Sequence, residues 1–165
     1  MRLTLLLCLL FIYLPSGQAQ QALDLTNPSL HQRPRPYVPP VDLNGTWVGE
    51  LYQDAGGIAE TFELSMQLQQ TGITIKGTSY VRFGEIWAEM EFSGFQAENG
   101  SWKITESKVI RAQKPKDLSW CMKRYKLRLG YTSKGIVLSG PWWGNSDFGP
   151  CVPGSVRLMK KKKQV

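Results

Sequence analysis

The 165-residue chain contains one histidine, His31, and three cysteines. So little histidine excludes much. A hydroxyl nucleophile needs a nearby base, most often an imidazole, and His31 lies in a proline-rich stretch, outside every segment with a regular apolar pattern. Triads and histidine-based metal sites are therefore not expected in the patterned part of the chain. Outside the first twenty residues only Cys121 and Cys151 remain, too few for a structural zinc site. The pair Gly56-Gly57 is a flexible turn and matches no phosphate-binding loop. No enzyme chemistry, metal or cofactor is implied.

A basic fold is also missing. Arg2 and the run Lys160 to Lys163 supply five of the 20 basic residues, and the other 15 face 13 acidic ones. Nucleic-acid binding needs a basic face interleaved with aromatics across the fold, and none is present. The lysine run reads as a solvated tail, with an anionic surface or an acidic partner as the alternative.

Long apolar runs are scarce. The single one, Leu3 to Leu14, follows Arg2 and precedes the small residues Gly17 and Ala19. It is too short to span a bilayer and reads as an export signal over residues 1–19. Cys8 sits inside the run and not at the cleavage point, which argues against a lipid anchor. The expected mature chain is soluble, without a transmembrane segment, and periplasmic or secreted. In an oxidising compartment Cys121 and Cys151 read as one disulfide, closing a loop worth roughly 3 kcal/mol. Two buried free thiols are the alternative.

What is present begins with proline. Residues 20–42 carry Pro28, Pro34, Pro36, Pro39 and Pro40, which block both helix and ladder hydrogen bonds. This stretch is read as a flexible arm or linker, and "RPRPYVPP" alternatively as a recognition peptide. From Leu43 onward the apolar period is two. "ETFELSMQLQQ" places Phe62, Leu64, Met66 and Leu68 on one face. "ITIKGTSYVRF" puts Ile73 and Ile75 together, and "EIWAEMEFSGF" sets Ile86, Ala88, Met90 and Phe92 against Glu89 and Glu91. "RYKLRL" turns Tyr125, Leu127 and Leu129 inward and Arg124, Lys126 and Arg128 outward. Eight such segments, joined mostly by tight turns, predict an all-β chain: an eight-stranded antiparallel up-and-down barrel over residues 43–160, with a basic tail at 161–165.

Gly45-Thr46-Trp47 on the first strand resembles the G-x-W signature of the calycins, the superfamily of lipocalin-like and avidin-like barrels. "GSVRLMKK" at the end places Arg157 on the last strand. The resemblance implies that Trp47 plugs the closed end of the barrel with Arg157 stacked over its indole. Gly45 and Gly49 would then let the strand bend around the plug. The contexts "SWCMKR" and "GPCVPGSVRL" resemble those of small exported bacterial barrels.

Binding is the remaining function class. "GPWWGNSDFG" sets Trp142, Trp143 and Phe148 among glycines, and Trp87 and Tyr80 are expected to extend an aromatic rim at one barrel mouth. The leading expectation is a binding module that docks onto an envelope or secreted protein, or a surface glycan, through these loops. The alternatives are a carrier of a small apolar ligand inside the barrel and a protease inhibitor that uses the proline-rich arm.

Overall fold

The computed structural model describes residues 41–162. The expected signal, nearly all of the arm with His31, and the final three residues lie outside the described residues. Nine strands follow one another: β1 Gly45–Gln53, β2 Thr61–Thr71, β3 Thr74–Phe83, β4 Ile86–Gln96, β5 Trp102–Gln113, β6 Met122–Thr132, β7 Gly135–Ser146, β8 Gly149–Pro150 and β9 Gly154–Lys160. The two residues of β8 pair only with the end of β7, inside the stretch expected to be loop. The other eight close into a ring. Each of β1 to β6 pairs antiparallel with the next, β7 pairs with β9, and β9 returns to β1. The expected barrel is what forms. Closure leaves no long unpaired edge among the described residues.

Period two explains the inside. Phe62, Leu64, Met66 and Leu68 from β2 are buried, as are Ala88, Met90 and Phe92 from β4 and Tyr125 and Leu127 from β6. Register brings them level, with Trp47 opposite Met66 and Leu51 opposite Phe62. Ile73 departs from the pattern. It occupies the β2–β3 turn and is 65% exposed, while Ile75 goes into the core.

One end is closed by residues 41–44. Leu43 and Trp47 are fully buried, and the Trp47 indole Nε1 donates to the Leu43 carbonyl at 2.9 Å. The Leu43 amide donates in turn to Gln70 Oε1 at 2.8 Å, and the Gln70 amide to Asn44 Oδ1 at 2.7 Å. Arg157, expected over the indole, is elsewhere. It is exposed on the outer wall, opposite Glu50, because its neighbours Val156 and Leu158 take the inward positions of β9. The last-strand cation at the closed end is Lys160, paired in register with Trp47 and bonded through its ammonium to Asp42.

Gly49 also has a different reason for being small. A Cβ there would stand 2.0 Å from the Arg157 backbone oxygen, so the close approach is to the neighbouring strand and not to the plug.

Candidate functional site

At the opposite end, loops and strand ends surround a cavity of about 240 Å³. The ends of β1, β3 and β7 supply Leu51, Val81 and Trp142, and the start of β2 supplies Phe62. The β5–β6 connection contributes Leu118, Trp120 and Cys121, and Lys123 reaches the cavity from β6. An eight-stranded barrel has room for its own side chains or for one small ligand. Here the lower interior is filled by side chains and the upper part is open.

Cys121 and Cys151 are joined, with Cα atoms 6.2 Å apart, and both line the cavity. The bridge ties the β5–β6 connection to the segment before β9. The Cys151 amide, donating to the Gly144 carbonyl at 3.0 Å, holds that segment against β7.

Beside the cavity lies a buried polar cluster. Glu106 Oε1 accepts from the Ser79 hydroxyl at 2.8 Å and from the Tyr125 hydroxyl at 2.7 Å. Its Oε2 accepts from the Lys123 amide at 2.9 Å and from the Lys123 ammonium at 3.2 Å. The ammonium also donates to the Cys121 carbonyl at 3.1 Å and touches Met90 Sδ at 3.7 Å. The Glu106 and Lys123 side chains are 0% and 5% exposed. Four donors saturate an ionised carboxylate, so the pair is internally neutral and fully bonded.

Alternation on β6 is enough to turn Lys123 inward, two positions before Tyr125. Glu106 carries a weaker signal. The β4–β5 register slips twice, so that Ser107 and Ile110 have no partner of their own. Each slip is a β-bulge, and a bulge reverses which residues face inward. Trp102, Ile104 and Glu106 point in by plain alternation, and the bulge at Ser107 then turns Lys108 out.

Burial, then the Glu106 charge and the hydrogen bond to it, raise the Tyr125 hydroxyl well above its ordinary value of 10.0. A raised folded-state value means that the unfolded chain loses this proton first. The associated stability is whole below pH 10 and falls as pH rises beyond it. Tyr125→Phe removes that share of the alkaline loss, and urea unfolding of both proteins below and above pH 10 reads the difference. Equal losses in the two would show that Tyr125 is not responsible.

The residues expected from sequence to bind are split among three places. Trp142 is buried, lines the cavity, and donates its Nε1 to the Tyr52 carbonyl at 2.8 Å. Trp143 faces out and is 43% exposed, and Phe148, in the β7–β8 turn, is 75% exposed. Tyr80 and Trp87 are not on the rim. They stack on the outer wall with ring centroids 5.9 Å apart, where the Arg111 guanidinium lies 5.9 Å from the Trp87 ring and bonds Glu89 at 2.6 Å. Outward alternation on β3 and β4 puts them there.

Among the described residues, three fully covered side-chain polar atoms have no hydrogen-bond partner: Gln53 Oε1, Trp102 Nε1 and Trp120 Nε1. Gln53 is held at its other end, where Nε2 donates to the Val152 carbonyl at 3.1 Å. Such orphans are uncommon in folded proteins and each calls for an explanation. Compared with models of known protein families and with curated proteins, the chain matches none.

Proposed function

We propose that this protein is a non-enzymatic, exported binder of a small, mainly apolar molecule, held in the cavity at the mouth of a calycin-like barrel. The observation that carries the reading is the cavity itself: about 240 Å³, walled by Leu51, Phe62, Val81 and Trp142, with the polar residues Gln53, Ser119 and Ser146 on its lining. Small-molecule sites have this make-up, apolar walls with a few polar groups that fix orientation. The volume is just below the roughly 300 Å³ at which drug-sized sites begin, so the ligand is compact. The saturated Glu106 supports a binding role over a catalytic one, since no lone pair remains to take a substrate proton. The disulfide supports export.

A ¹⁹F NMR screen of small fluorinated aromatic compounds tests this. Hits are expected, and Val81→Trp, which fills the cavity from a buried wall position, is expected to abolish their binding. A screen in which every hit binds the variant unchanged, or in which nothing binds, overturns the reading.

Exposed Ile58 and Phe148 on the mouth loops favour a second reading, docking onto an envelope or secreted protein. In that reading Trp142 plays no part in contact. The inhibitor reading rests on the proline-rich arm, which lies outside the described residues.

A further inference from the structure

The near-balance of charge over the fold hides how that charge is arranged. Apart from the buried Glu106, strands β5, β6, β7 and β9 carry no acidic residue. Alternation on β6 turns Arg124, Lys126 and Arg128 out, and all three are exposed, as is Lys103 on β5. Carboxylates collect at the mouth instead. Its connections hold Asp54, Glu60, Glu85, Asp117 and Asp147 against Lys114 and Lys116. The closed end is the reverse. Lys134 stands in the β6–β7 turn, and Lys160, Lys161 and Lys162 end the described chain beside it. Two acids, Asp42 and Glu98, share this end, and Lys160 answers the first.

Three exposed apolar side chains lie at the same end: Ile73 in the β2–β3 turn, Phe95 near the end of β4 and Tyr131 near the end of β6. Register joins them to the cations. The Gln96 amide donates to the Ile73 carbonyl at 2.8 Å, and Phe95 pairs with Lys103, whose ammonium lies 5.9 Å from the Phe95 ring centre. Lys103 pairs in turn with Lys126 across β5–β6. Like charges directly opposite each other destabilise a sheet. Among the described residues neither lysine has an ion-pair partner, although Glu98 borders the same shallow hollow. Folding gains nothing from this arrangement, whereas a negative surface laid against it relieves the repulsion.

An acidic protein or a soluble polyanion would answer the charge alone. The apolar side chains decide for a bilayer. They stand on three separate hairpins at one end of the barrel, and cations around apolar and aromatic tips suit a surface that rests in a layer of anionic headgroups. Ile58 and Phe148, the exposed apolar groups of the mouth, lie among carboxylates, which such a layer repels.

We propose that the closed end of the barrel docks onto an anionic lipid bilayer. Ile73, Phe95 and Tyr131 enter the headgroup region, while Lys103, Lys126, Arg128 and the terminal lysines meet lipid phosphates. The cavity mouth then opens away from the membrane. The docking is independent of what the cavity holds.

Vesicle flotation tests this on the chain from residue 20 onward, which leaves out the expected signal and keeps the whole closed barrel. The protein is expected to float with mixed phosphatidylglycerol–phosphatidylcholine vesicles, to stay behind with phosphatidylcholine alone, and to be released as salt rises. Lys103→Gln/Lys126→Gln is expected to weaken binding about thirtyfold, the scale for two lysines at an anionic surface. Ile73→Ser/Tyr131→Ser is expected to weaken vesicle binding about tenfold while leaving binding to heparin, a soluble polyanion, unchanged. All four side chains are exposed, so both variants are expected to melt with the unmodified protein. Absence of flotation with the anionic vesicles overturns the proposal. Equal vesicle binding by Ile73→Ser/Tyr131→Ser also overturns it, and marks a site for soluble polyanions or acidic proteins. So does full binding by Lys103→Gln/Lys126→Gln combined with loss on removing residues 161–165, which places the contact in the tail alone.

Discussion

Glu106→Gln lowers the unfolding free energy by about 3–5 kcal/mol, the cost of removing one member of a buried ion pair. The side chain is fully buried, and it is the single acceptor for four donors from β3 and β6. Glutamine keeps the shape but brings an NH₂ group where a carboxylate oxygen stood, so at least one donor loses its acceptor. The Lys123 ammonium, 5% exposed, is left with the Cys121 carbonyl and a thioether. Since domains are stable by only about 5–15 kcal/mol, a loss of this size is plain in a denaturant titration. Lys123→Met strands the carboxylate instead and is expected to cost a similar amount. The double variant Glu106→Met/Lys123→Met removes both charges and their desolvation together. It is expected to lose less than the sum of the two single changes, although the Ser79 and Tyr125 hydroxyls then lack their acceptor. A Glu106→Gln loss under about 1 kcal/mol would mean that the network does not hold β3, β5 and β6 together.

Trp47→Ala is expected to cost about 3–5 kcal/mol, the range for truncating a large aromatic in a core. Trp47 is fully buried, and its Nε1 bond to the Leu43 carbonyl holds residues 41–44 across the closed end. Removing the indole opens a cavity and frees that segment, so amides around Leu43 and Gln70 should also exchange faster with solvent. Arg157→Ala provides the contrast. On the outer wall it is expected to change stability by no more than about 0.5 kcal/mol. Had Arg157 covered the indole, its removal would have registered as a core defect. Guanidinium chloride titrations of the two variants separate these cases.

The barrel is legible in the sequence because its signal is local. Residues two apart share a face of a strand, so "ETFELSMQLQQ" announces both an element and the side it buries. The plug is legible for the same reason: Trp47 lies on the inward parity of β1. Arg157 lies away from its expected place because a family resemblance suggests a pairing that its own parity contradicts, since Val156 and Leu158 occupy the inward positions. Alternation on β9, taken alone, places it outside. The aromatics Tyr80 and Trp87 differ from expectation similarly, as composition marks them as binding residues while parity sets them on the outer wall.

One feature is only weakly marked by a local pattern, and a second is out of its reach. Glu106 turns inward only in step with Trp102 and Ile104, and the bulge at Ser107 then reverses the parity, leaving "TESKVIRA" with no consistent face. The cavity depends on several separate segments, and on whether their side chains fill or leave a space that no one of them encloses. The amino-acid sequence determined the strands, their inward faces and the cysteine pair, because these follow from spacing along one chain. The tertiary structure decided that Glu106 and Lys123 meet, 17 residues apart, and that Leu51, Val81, Trp120 and Trp142 line one cavity. Those are relations across the barrel, set by register, bulges and closure.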